Sequence, residues 1–359
     1  MRIHLGPEHP PPSRRRVVTI GVFDGVHVAH QRVLGVTVRL ARRLRAESLA
    51  VTFDPDPESV LRPSHAQPTL MPLGARLDWL SRLGVDRAWV IPFTARFART
   101  RADLFVRRVL QARLGAVAVV VGEAFVFGRQ RRGDMALLRR LGAAHGLGVV
   151  EVPAVRRGGA AVSSSRIRQL IARGRLADAR RLLGRPATLY GCVVPGAGRG
   201  RRLRVPTANL RLQSAVLPPR GVYAVLVKDE GPSGRRPERA KRVVAQLPAV
   251  ARHDPERAQG ASRGIEGRSF PARGTTPPRG CWRGVMNLGV RPTFGAGPLT
   301  CEVHLLDFSG SLRRRQLSVA LLARLRQERR FPTPAALTRQ IRRDITRTKR
   351  LVPRRSARR

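Results

Sequence analysis

The chain has 359 residues, enough for two or three domains, and its 42% apolar content lets each bury a core. Against 23 Asp+Glu stand 70 Lys+Arg, a formal charge of +47, yet only Lys228, Lys241 and Lys349 are lysines. That excludes P-loop chemistry, whose glycine loop needs a lysine behind it, and argues against Schiff-base catalysis, because none of the three lies in a motif-like segment.

The longest uncharged apolar run, residues 114–122, falls far short of the roughly 20 residues of a membrane helix. Arg14-Arg15-Arg16 precedes an apolar stretch, but Asp24 interrupts it before a signal peptide is complete, so no export signal is expected and the expected location is cytoplasmic. Cys192, Cys281 and Cys301 are scattered and form no CxxC pair, which reads as free thiols in a reducing compartment. The arginine excess has two readings. One is a nucleic-acid partner bound through phosphates; the other is a compositional bias that replaces lysine on solvated faces. The arginines spread over the whole chain, and 4% aromatic content leaves few stacking platforms, which favours the second.

In chain order, residues 1–13 are proline-rich and read as a disordered lead. Val-rich buried strands are expected at 17–23, 48–53, 87–91, 117–121 and 149–152, with helices at 30–45, 74–83, 102–114 and 135–145 between them. This alternation predicts an α/β doubly wound parallel sheet over 14–184. Two short helices follow Ser163, and Gly184-Arg185-Pro186 reads as a hinge. Strand-like pieces at 189–194, 221–227, 284–288 and 300–306 then predict a small antiparallel β-barrel or sandwich over 188–349. Residues 229–280 read as a disordered insertion, 316–330 and 334–349 as helices, and 350–359 as a basic tail.

The strongest local signal is Gly21-Val22-Phe23-Asp24-Gly25-Val26-His27-Val28-Ala29-His30, between the first strand and the first helix. Gly21 and Gly25 permit a tight turn, while His27 and His30 fall three apart at a helix start, where backbone N–H groups and the macrodipole already favour phosphate. A metal pair or plain capping histidines are the alternatives there. Asp54-Pro55-Asp56-Pro57, the segment 122–128 with Phe125 and Phe127, and Ser163-Ser164-Ser165-Arg166-Ile167-Arg168 each follow a later strand. Taken alone the serine run reads as a helix N-cap, but ligands of such sheets bind beyond the strands' carboxyl ends, and the four polar junctions together put Phe23, Asp24, Ser164, Ser165 and Arg168 beside an expected nucleotide. Further on, Gly196 and Gly198 lie in a glycine-rich loop. Thr207 and Asn209, two apart in an extended segment, project from one side and suit Mg²⁺ with a phosphate, a plain Asx or proline turn being the alternative for the tetrapeptide on its own.

These segments, with Gly284 to Phe294 and Thr300 to Phe308, are similar in order and spacing to the bacterial bifunctional riboflavin kinase/FMN adenylyltransferase family, also called FAD synthetase, whose first module resembles the HxGH nucleotidyltransferases. The resemblance implies ATP-dependent phosphorylation of riboflavin to FMN and adenylylation of FMN to FAD with release of pyrophosphate. It also implies His27 and His30 as phosphate-handling residues, Thr207 and Asn209 as holders of Mg·ATP, and Glu302 as the base that activates the riboflavin hydroxyl. A flavin- or RNA-binding paralogue without turnover, and another HxGH transferase, are the competing readings. Against the family pattern, Ala29 stands for a glycine, Asp56 for a histidine, Ala124 for Asn or Asp, Pro195 and Ala197 for a loop histidine and an acidic residue, and Arg313 for a tyrosine.

Overall fold

The computed structural model describes residues 1–6, 15–195, 207–213, 216–232, 280–290 and 299–352. They form two compact units. The first draws on Met1–Gln67 and Leu73–Ser163, the second on Pro68–Pro72, Ser164–Arg235 and Gly264–Arg359.

The first unit is a six-stranded parallel sheet in the order β1-β4-β3-β2-β5-β6. Its strands are β1 (Arg2–Leu5), β2 (Arg16–Ile20), β3 (Glu47–Phe53), β4 (Arg87–Ile91), β5 (Ala116–Gly122) and β6 (Gly148–Val152). The helices are α1 (Val28–Arg43), α2 (Pro57–Leu61), α3 (Leu73–Arg82), α4 (Ala95–Ala98), α5 (Ala102–Leu104) and α6 (Met135–Ala144). From β2 the chain winds outward through β3 to β4, then returns to β5 on the other side, so the order reverses next to β2 and opens a crevice at the carboxyl ends. Alternation along β2 and β5 feeds two cores: Val17, Ala118 and Val120 face α1, while Val18, Val119 and Val121 face the opposite layer with Leu49, Trp89 and Phe105. This is why these strands read as continuous apolar runs.

Two expectations need correction here. Arg2–Leu5, read as part of a disordered lead, is a strand paired in parallel with Arg87–Val90. Its anchor is non-local: Trp89 Nε1 donates to Gly6 O (2.8 Å), and Arg87, bidentate on Glu47, also donates to His4 Nε2 (3.1 Å). Burial, and then the charges of Arg87 and Arg16, hold His4 below its ordinary pKa, which keeps Nε2 an acceptor. The helix expected over 102–114 is a short α-turn that continues as a π-helix, Phe105–Arg113.

The second unit begins with α7 (Ser164–Ala172) and α8 (Leu176–Leu183), which ends on Gly184 in the left-handed conformation (φ 75°). The hairpin strands β7 (Arg156–Arg157) and β8 (Ala160–Ala161) precede them in the chain. A closed antiparallel barrel follows, ordered β10-β13-β12-β11-β14-β9. Its strands are β9 (Thr188–Val194), β10 (Ala208–Leu212), β11 (Gly221–Pro232), β12 (Cys281–Val290), β13 (Leu299–Leu305) and β14 (Arg315–Arg326). The C-terminal helix Pro334–Leu351, capped by Thr333, packs Ile345 and Leu351 on Val222, Ala224, Val285 and Leu325.

The segment 316–330 is therefore not a helix. Its leucine-rich composition carries helical propensity, but β11 and β9 on either side bury Ser318 to Leu321 continuously and impose the strand. Likewise β11 runs through Pro232, so the expected insertion loses its first four residues to the barrel; Arg315 pairs with Asp229 (2.5 Å), and Ser318 donates to Glu230 (2.7 Å). Residues 233–279, like 7–13 of the lead and 353–359 of the tail, lie outside the described residues.

Candidate active sites on the two units

The loop after β2 is held in a conformation that ordinary residues avoid. Phe23 (φ 53°) and the β-branched Val26 (φ 36°) occupy the left-handed region beside Gly25 (φ 78°), and such strain, of order 1–3 kcal/mol per residue, persists only where surroundings over-determine it. They do so here. Phe23 and Val26 are buried, Val26 N donates to Phe23 O (3.0 Å), Gln31 Nε2 donates to Val26 O (2.9 Å), and Thr52 Oγ1 donates to Val22 O (3.0 Å). At Gly21 a Cβ would press on the Phe23 ring at 3.2 Å, which explains the glycine.

His27 caps α1. Only 3% exposed, its Nδ1 accepts from the backbone N–H of His30 (3.4 Å), which fixes the tautomer that carries the proton on Nε2. The two imidazoles stack with centroids 3.6 Å apart and planes 17° from parallel, and Phe23 meets the His30 ring edge-on at 5.4 Å. Two ring donors and the N–H groups of the first turn thus converge at one helix N-terminus beyond the sheet edge. Ala29 lies in that first turn, where a methyl group suits helical backbone. Asp24 is buried in the same loop.

Asp56 caps α2 by accepting from Glu58 N (2.9 Å), a structural role that accounts for a carboxylate at this position. Phe125 and Phe127 stack (5.5 Å, 13°) at the end of a ring series that runs through Phe105 and Phe97 to Phe93 and Phe53. Six of the chain's 11 phenylalanines stand in it. The aromatic residues, scarce overall, are concentrated at this edge. Sequence reading found only Phe125 and Phe127, because Phe53, Phe93, Phe97 and Phe105 come from other segments and meet them only in the fold. Ser164 and Ser165 open α7, from which Arg168 Nε donates to Pro68 O (3.0 Å); these belong to the second unit.

In the barrel, register brings the polar residues together. Asn209 on β10 lies directly opposite Glu302 on β13, and Glu302 lies opposite Asn287 on β12. Directly opposed residues share a face, so the three form one row. Along β13 the half-buried Thr300, Glu302 and His304 alternate with buried Cys301, Val303 and Leu305. Thr207 immediately precedes β10, two residues before Asn209. A Cβ built at Gly289, which pairs with Thr300 on the same face, would fall on the Glu328 carboxylate, so that carboxylate also lies against this face. Sequence reading missed Asn287 as Glu302's neighbour, and missed Glu328 because it assigned 316–330 to a helix. Burial, then the charge of Glu302, pushes the Cys301 thiol up to about 12, so this cysteine is no nucleophile at neutral pH. Gly196 and Gly198 lie outside the described residues.

Two family models match in tandem: FAD synthetase over residues 9–166 and riboflavin kinase over 183–352. Across 343 residues the chain is 34% identical to the bifunctional riboflavin kinase/FMN adenylyltransferase of Pseudomonas fluorescens, covering 95% of this chain and 93% of that one. The chain belongs to the bifunctional riboflavin kinase/FMN adenylyltransferase family. The family's Escherichia coli K12 member is 32% identical, over 93% of this chain and 91% of its own. A crystal structure described as a macrolide-efflux protein from Streptococcus pneumoniae superposes with a TM-score of 0.71 at 26% identity, covering 94% of each chain. Among the described residues no helix is long and apolar enough to cross a membrane. The boundary between the two family matches falls in 167–182, which α7 and α8 largely occupy.

Proposed function

We propose that this chain makes FMN from riboflavin and ATP in its barrel, and FAD from that FMN and a second ATP on its α/β unit. The tandem family matches support the two activities, and the two separate constellations support their assignment to two sites.

In the barrel, Glu302 takes the proton of the riboflavin 5′-hydroxyl as its oxygen attacks the γ-phosphorus; the bond to ADP breaks, giving FMN. Thr207 and Asn209 offer neutral oxygens two residues apart, with Glu302 across the ladder from Asn209, and hard oxygen donors of this kind fit Mg²⁺ that keeps waters and phosphate oxygens in its shell. Held by Thr207 and Asn209, Mg²⁺ would supply charge neutralisation to the transferred phosphate. Asn287 flanks Glu302 on the other side of the row.

On the α/β unit, an FMN phosphate oxygen attacks the α-phosphorus of ATP and pyrophosphate leaves. His27, His30 and the first N–H groups of α1 stabilise the charge that gathers on the phosphoryl oxygens. Gly21, Phe23, Asp24 and Gly25 shape the loop that receives the nucleotide, and the half-buried rings of Phe53, Phe97 and Phe125 offer the isoalloxazine an apolar surface. Both reactions consume ATP, which fits a cytoplasmic enzyme.

The observation that carries this reading is the stacked His27–His30 pair at the N-terminus of α1, in a chain whose other unit holds the Asn209–Glu302–Asn287 row. Incubated with riboflavin and Mg·ATP, the pure protein is expected to yield FMN first and FAD after it, separated chromatographically. Absence of both products overturns the proposal.

A further inference from the structure

Arg76 is the most deeply buried arginine near the adenylyl-transfer edge, 3% exposed on the inner face of α3 with Leu77 and Leu80. Its Nη1 donates to Thr52 Oγ1 (3.2 Å) and to Phe53 O (3.1 Å) at the carboxyl end of β3. Thr52 in turn donates its hydroxyl proton to Val22 O (3.0 Å). Val22 opens the loop in which Phe23, Gly25 and Val26 take their left-handed conformations ahead of the His27 cap. A relay therefore runs from a guanidinium on α3, through one hydroxyl on β3, to the backbone that presents the two histidines.

The charge is informative. Among the described residues no carboxylate reaches Arg76 at ion-pair distance, and its Nε has no hydrogen-bond partner. Burial pulls its pKa down, and only the through-space fields of Asp24, Asp54 and Asp56 pull it back. A neutral donor would make the same two hydrogen bonds without the cost of burying a cation. What the cation adds is polarisation of the Thr52 hydroxyl, which strengthens its grip on Val22 O, together with a fixed positive field below a loop that receives polyphosphate.

We propose that Arg76 is a positioning residue for adenylyl transfer, acting through Thr52 on Val22 to hold the His27–His30 loop in its strained, reactive geometry. The inference rests on the adenylyl-transfer reading of that loop. Misplacing a reacting group by about an ångström costs on the order of a hundredfold in rate, so a loosened loop is expected to show mainly in kcat.

The test uses the full-length protein, FMN and Mg·ATP, with riboflavin phosphorylation measured on the same preparations. Arg76→Met is expected to lower kcat for FAD formation by roughly ten- to a hundredfold, with a smaller rise in KM for ATP and riboflavin phosphorylation unchanged, while Arg76→Lys recovers part of the loss. Thr52→Val is expected to reproduce the loss and Thr52→Ser, which keeps the hydroxyl, to restore the rate. A folded Arg76→Met with kcat within about twofold of the parent overturns the inference, as does a Thr52→Ser variant as slow as Thr52→Val. Should Arg76→Met fail to fold, the two Thr52 variants decide alone. A parent protein that makes no FAD from FMN sinks the adenylyl-transfer reading and this inference with it; an active parent with unaffected variants sinks only this inference.

Discussion

Glu302→Gln is expected to remove riboflavin phosphorylation and leave conversion of FMN to FAD untouched. The substitution keeps the side chain's volume and its place in the row between Asn209 and Asn287, and it removes only the capacity to accept a proton. General-base catalysis contributes about 10²- to 10⁴-fold, so kcat on riboflavin should fall by that much. Folding should hardly change, because Glu302 is half-buried on a strand whose inward neighbours Cys301 and Val303 carry the packing. The Cys301 thiol supplies an internal check. Part of its elevation comes from the Glu302 charge, so its titration should move down in the variant, by less than burial alone maintains. The assay follows each flavin separately by chromatography. Loss of both activities would show that the two reactions do not divide between the units as assigned.

His30→Ala is expected to do the reverse, sparing FMN synthesis and lowering adenylyl transfer by roughly 10²- to 10³-fold, the loss typical of one donor to a developing oxyanion. Of the two histidines it is the cleaner to remove. The cap of α1 runs from the backbone N–H of residue 30 to His27 Nδ1, and alanine keeps that N–H. Removing His27 instead would delete the cap itself, which typically costs about 1 kcal/mol and would mix stability with rate. His30→Ala also removes the ring stacked on His27, so the remaining imidazole loses a wall as well as a companion donor. Pyrophosphate release with FMN as acceptor is the readout. An unchanged kcat would place the transfer chemistry elsewhere.

Much of the α/β unit is legible in sequence because each parallel strand is buried on both faces and reads as a short valine-rich run between helical stretches. The histidine loop is legible for a related reason: glycine and histidine at a strand-to-helix junction are local signals. What sequence reading misses is non-local. Arg2–Leu5 becomes a strand because Arg87–Val90, far along the chain, supplies its partner. The segment 316–330 reads as a helix until β11 and β9 claim it, and with it goes the approach of Glu328 to Gly289. Arg76 carries no motif, and its importance comes from Thr52, to which only the fold brings it.

The arginine excess also looks different in the structure. Arg16, Arg76, Arg87, Arg185 and Arg283 are buried, and several are bound to backbone at strand or helix ends: Arg16 Nη1 to Leu114 O (2.7 Å), Arg283 Nη1 to Val352 O (3.2 Å). Arginine suits that work better than lysine because its fork reaches two acceptors at once. Part of the positive charge is therefore structural, and needs no polyanionic partner to explain it.

The most direct test of two reactions on one chain follows the phosphorus atoms. Riboflavin is incubated with the pure protein and Mg·ATP labelled either at the γ- or at the α-phosphorus. If the barrel transfers the terminal phosphate and the α/β unit transfers the adenylyl group, the γ-label appears in FMN and is carried on into FAD, while the α-label enters FAD alone. An α-label found in FMN, or a γ-label absent from both flavins, would contradict the account.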